Sequence, residues 1–126
     1  MAVVTVKKLL EKSKEWEENL NKVINITVER LEGDIKVKKL SKVEYLDILQ
    51  SKSKDKDSET IYNCCVEPNL SSDEILNAFD CKDDPESIVD KIFTHAEKTQ
   101  LVKIILNESG ISGENIVTKI ADDIKN

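Results

Sequence analysis

The side chains of this chain with a chemistry to offer are few. Cys64 and Cys65 stand side by side, Cys81 follows, and His95 is the single histidine. Structural zinc is held by four ligands, commonly two closely spaced pairs. No C-x-x-C occurs here, and neighbouring cysteines on a helix point in different directions, so one ion is poorly chelated. The expectation is no metal: one cysteine packs as a small hydrophobe and the other lies near the surface. A cysteine nucleophile would need His95 as its base. His95 falls just inside an expected helix N-terminus, where the helix dipole disfavours imidazolium. The carboxylates Asp80, Asp83, Asp84 and Glu86 cluster at helix starts, where acidic residues are ordinary dipole partners. There is no EF-hand spacing and no P-loop, and three glycines do not suffice for a phosphate-cradling loop. No catalytic residue, cofactor or metal is therefore assigned.

The elements that would position these groups follow from the hydrophobic spacing. The 126 residues suit one small domain, and with 4% aromatic residues its core must rest on Ile, Leu and Val. The expected fold is α+β and mostly α-helical. An N-terminal helix and β-hairpin fill residues 1–40, and a bundle of about five short helices fills 41–126. Thr5 caps the first helix, which carries Val6, Leu9, Leu10, Trp16 and Leu20 near one face and is half exposed. Alternation from Val23 to Leu31, resumed at Ile35 and Val37, predicts a hairpin with a two-residue loop at Glu32-Gly33 or Gly33-Asp34. Val28 then faces Val37 or Lys39, and Glu29 faces Lys36 or Lys38.

Helix signals dominate after residue 40. Ser41 to Glu44, Ser71 to Glu74 and Thr94 to Glu97 fit the capping-box pattern. The apolar stripes are Val43, Leu46 and Leu49 or Ile48; Ile61, Cys64 and Cys65; Ile75, Leu76 and Phe79; Ile88, Val89, Ile92 and Phe93; Leu101, Val102, Ile104 and Ile105. Residues 51–58, SKSKDKDS, hold no apolar residue and predict an exposed loop. Pro85 starts a helix and Gly110 ends one. Ser112 caps a final helix in which Ile116, Ile120 and Ile124 lie four apart. The stretch CCVEPNLSSDEI, residues 64–75, is expected to be a joint. A helix ends, Pro68 turns the chain and a capped helix begins.

Charge narrows the partners. A net charge of −6 and a pI near 4.9 disfavour nucleic acid and anionic membrane. No apolar run approaches the roughly 18 residues of a membrane span. The N-terminus turns charged too early for a signal peptide, so a cytoplasmic location is expected and the sequons at Asn25, Asn69 and Asn107 are taken as chance.

The order Val66-Glu67-Pro68-Asn69-Leu70, Ser72-Asp73-Glu74-Ile75 and Ile88-Val89-Asp90-Lys91-Ile92-Phe93, then Thr94-His95-Ala96-Glu97 and Ser109-Gly110-Ile111, resembles one family. It is the XkdN-like tail assembly chaperones of tailed phages and phage-derived tail particles. The resemblance spans about residues 5–111. It departs where Asp80-Cys81 replaces a glycine often found after the helix at 73–79. It implies a non-enzymatic protein of the bacterial cytoplasm. Such a protein binds the tape measure protein during tail assembly, with the tail tube protein as a further partner, and is absent from the finished particle. Self-association is compatible with it. Ile116, Ile120 and Ile124 are the candidate partner-binding residues. A second reading is a small acidic phage-encoded inhibitor or adaptor that binds a host protein. Charge mimicry of nucleic acid fits less well, because 19 basic residues are interleaved with 25 acidic ones.

Overall fold

The computed structural model describes residues 2–113 and Val117. It is a mostly helical α+β fold. Its elements are α1 (Val6–Leu20), β1 (Ile24–Val28), β2 (Gly33–Val37), α2 (Lys42–Gln50), α3 (Lys56–Cys64), β3 (Cys65–Glu67), α4 (Asp73–Ala78), α5 (Ile88–Ile92) and α6 (His95–Glu108). The strands form one antiparallel sheet in the order β1-β2-β3. Ile116, Ile120 and Ile124 of the expected final helix lie outside the described residues.

The core follows from the two periodicities. Ile26 and Val28 of β1 and Ile35 and Val37 of β2 alternate onto one face of the sheet, and all four are buried. Two strands with one apolar face need a cover. It comes from Ile61 and Cys64 of α3 and from Leu101 and Ile105 of α6, which join Leu40, Ile48, Leu70, Leu76, Ile88, Val89 and Phe93 in one cluster.

The hairpin departs from the expected loop. Residues Glu29–Leu31 form a single 3-10 turn and Glu32 adopts the left-handed conformation at φ 57°, so the loop has four residues. Val28 faces Gly33, Ile26 faces Ile35 and Ile24 faces Val37. The register differs from expectation by an even number of residues, so the apolar face survives. The expected Glu29 pairing does not form. Thr27 instead donates its hydroxyl to Asp34 Oδ1 at 2.6 Å on the outer face.

Two further expectations change. Residues 51–58 are not one exposed loop. Asp55 accepts from the Ser58 amide at 3.0 Å and its hydroxyl at 2.7 Å and so caps α3, whose first turn buries Ser58. A polar run can build a helix start, because the first turn needs a cap more than an apolar residue. In residues 64–75 the joint exists, but it holds a third strand. Cys65 pairs with Val37 and Glu67 with Lys36, beside a bulge. Three residues are too few to show alternation, and the strand exists only because β2 offers it an edge. Pro68 follows in a cis peptide bond, and Leu70 anchors the turn in the core.

The caps explain where the helices begin and end. Ser41 with Glu44 and Thr94 with Glu97 form complete capping boxes. The third differs. Ser72, not Ser71, caps α4 by accepting from the Ile75 amide, and no box closes. Gly110 has φ +74° after α6, while the Ile111 amide returns to the Leu106 carbonyl at 2.9 Å. Asp80 has φ 56° after α4, with the Cys81 amide on the Leu76 carbonyl at 2.8 Å. Asp80 thus performs the turn that a glycine makes elsewhere, which its short polar side chain tolerates.

Candidate functional site

The cysteines are placed where reactivity is low. Cys64 is fully buried at the end of α3, and burial pushes its thiol up to about 12. Cys65 is half-buried on β3, burial pushes it up to about 11, and its thiol donates to the Pro68 carbonyl at 3.3 Å. Cys81 is buried and donates to the Phe79 carbonyl at 3.3 Å. All three are free thiols. Nucleophilic and metal-binding cysteines are thiolates, and burial in apolar surroundings disfavours that form. His95 is exposed at the start of α6. Among the described residues no three His, Cys, Asp or Glu side chains converge as metal ligands.

The carboxylates singled out in the sequence divide. Asp84 and Glu86 line an acidic cleft of about 510 Å³ together with Asp55, Glu59 and Asp90. Burial raises the Glu86 carboxyl, and the neighbouring charge of Glu59 adds to it. Asp80 lies in the turn after α4, and neither it nor Asp83 lines the cleft.

Beneath the cleft is a residue that sequence reasoning missed. Lys98 of α6 is only 4% exposed, and its Nζ donates at 2.6 Å to both Asp55 and Asp90. Burial alone would lower its pKa, but the two carboxylates outweigh that and raise it. Burial likewise works to raise the Asp55 carboxyl, yet Lys98 and Ser58 hold it down at about 2. The signal was present. Lys98, Leu101 and Ile105 follow a 3–4 spacing, so Lys98 sits on the buried stripe of α6. The site is structural in character: it ties the start of α3 and α5 to α6.

A second tie fixes the hairpin. Arg30 donates to both carboxylate oxygens of Glu97, at 3.0 and 2.8 Å, and also to the Ile92 carbonyl. The Glu97 carboxyl, which also accepts from the Thr94 amide, is held near 2 chiefly by Arg30.

The most prominent surface feature is apolar. On α2 the inward residue is Ile48, while Val43, Leu46 and Leu49 face outward at 68%, 43% and 49% exposure. The expected stripe therefore exists, but it faces solvent. It continues into a groove of about 480 Å³ lined by Leu20, Leu40, Tyr45, Leu46 and Ile111. On α1 none of Val6, Leu9, Leu10, Trp16 and Leu20 is buried. The helix expected to be half exposed has no buried residue at all. Scattered exposed apolar residues are ordinary, but contiguous ones on adjoining elements mark interaction surfaces.

No described helix is long and apolar enough to cross a membrane. Comparison of the chain with protein-family models, with curated proteins and with solved structures finds no match.

Proposed function

We propose that this protein is a tail assembly chaperone of the XkdN-like kind. It would hold an apolar helix of the tape measure protein while the tail of a phage, or of a phage-like contractile particle, is built. The observation that carries the reading is the outward apolar stripe Val43, Leu46 and Leu49 of α2, running into the groove beside Leu20 and Tyr45. An amphipathic helix binds by laying its own apolar face into such a groove. The net charge of −6 keeps a complex with an aggregation-prone partner in solution. The motif order over residues 5–111 adds the family assignment. On this reading the protein performs no catalysis, works in the bacterial cytoplasm and leaves before the particle is complete. Ile116, Ile120 and Ile124, the partner-binding residues expected from the sequence, lie outside the described residues.

The test is co-expression with a tape measure protein from the same source, followed by affinity purification and size exclusion. The reading requires a soluble tape measure protein that co-elutes with several copies of this chain. It also requires that Val43→Lys, Leu46→Lys and Leu49→Lys together abolish co-elution while the circular dichroism spectrum stays unchanged. A tape measure protein that aggregates as it does alone overturns the function and leaves the fold untouched.

A further inference from the structure

α1 is built as half of something. Four of its five apolar positions, Val6, Leu9, Trp16 and Leu20, with Ser13 between them, are spaced 3, 4, 3, 4, and Leu10 stands beside Leu9. That is the a/d seam along which two helices pack. The four apolar members of the seam are uncovered: Val6 is 73% exposed, Leu9 47%, Trp16 50% and Leu20 54%. A lone helix of 15 residues is marginal in water. This one is further handicapped, because it has no acidic residue in its first turn and no basic residue in its last. Its charges run the wrong way for its own dipole. Residues 6–13 hold three lysines and Glu11, a net +2, and residues 14–20 hold Lys14 and three glutamates, a net −2.

An antiparallel mate with the same sequence answers each point. We propose that α1 pairs with α1 of a second copy of this chain, antiparallel about a two-fold axis. Leu9 then packs on Leu20 of the second copy, and Trp16 packs on its Ser13. The large ring thereby meets the small residue, and symmetry repeats each contact. The basic half of one helix lies along the acidic half of the other. The mate's glutamates approach the positive dipole end, and its lysines approach the negative end. A parallel pair would stack Trp16 on Trp16 and lysines on lysines. The seam is short, and stable interfaces begin at about 1,200 Å² of buried surface, so it lies at their low end. Association is therefore concentration-dependent. The proposal does not rest on the chaperone reading and needs no client.

The test uses the full chain alone, by sedimentation equilibrium from about 5 to 500 µM, a range chosen to straddle a micromolar dissociation constant. Mass is expected to rise from 14.3 kDa toward twice that value. Trp16 is the sole tryptophan, so its emission should shift to the blue over the same range. Leu9→Lys with Leu20→Lys should hold the protein monomeric and its emission red at every concentration. Both residues lie outside the buried cluster, so the fold is kept. A nitroxide at Lys7→Cys, in a Cys65→Ala background, reports the direction. Antiparallel helices hold the two labels about 20–25 Å apart, at 1.5 Å rise per residue. A monomer throughout, a dimer indifferent to the double substitution, or labels in near contact would each overturn the proposal.

Discussion

Lys98 and Asp55 meet at 2.6 Å across 43 residues of sequence. The lysine is buried, while the Asp55 side chain keeps 44% of its surface in water. This asymmetry separates what removing each partner should do. Lys98→Met leaves two carboxylates that water can solvate and should cost only about 1 kcal/mol. Asp55→Asn with Asp90→Asn preserves the α3 cap, since Asn also caps. It strands a buried cation, however, and should cost about 3 kcal/mol. Urea midpoints of the two variants measure the difference, and the reverse order would show that Lys98 is not held by charge.

Acid should unfold the protein through a defined set of carboxylates. Asp55 and Glu97 are held near 2 in the fold, against ordinary values of 3.8 and 4.5, and Lys38 lowers Glu44. A depressed folded value means that the unfolded chain takes up protons first. The stabilisation is present above about pH 4.5 and is lost as pH falls toward 2. Glu86 runs the other way, since its raised value favours the fold at acidic pH. Melting temperature measured from pH 7 to pH 2 should stay level and then fall below about 4.5. Arg30→Gln should flatten the part of the fall that Glu97 contributes.

Gly110 tests the end of α6. An added Cβ meets no atom within 4 Å there, so the cost of Gly110→Ala comes only from the φ of +74°. The expected loss is about 1 kcal/mol, read from thermal or urea unfolding. A loss near zero would show that the turn relaxes freely.

The thiols should be slow. At pH 8 the aromatic disulfide reagent used to count thiols should leave Cys64 and Cys81 unreacted in the native protein. All three cysteines should react in urea. Cys64→Ala should be tolerated better than Cys64→Ser, which buries a hydroxyl in an apolar site at about 1–3 kcal/mol. Rapid native labelling of Cys64 would contradict its burial.

The sequence by itself settled what depends on near neighbours. Caps at Thr5, Ser41 and Thr94, Pro85 at the start of the 3-10 turn Pro85–Ser87 that leads into α5, and the glycine stop at Gly110 are set within four residues, and each appears in the structure. So do the alternation of β1 and β2 and the buried stripes of Ile88, Val89 and Phe93 and of Leu101 and Ile105, because period 2 and period 3.6 are local. The tertiary structure decided what depends on distant partners. β3 forms because β2 has a free edge, although Cys65-Val66-Glu67 carries no strand pattern. Lys98 is buried because Asp55 and Asp90 arrive from α3 and α5 to neutralise it. The α2 stripe faces outward because the core takes Ile48, with α2 packed on α3, and leaves Val43, Leu46 and Leu49 without a place in it. Periodicity tells which residues share a face. Only the packed chain tells whether that face is used within the molecule or offered to another.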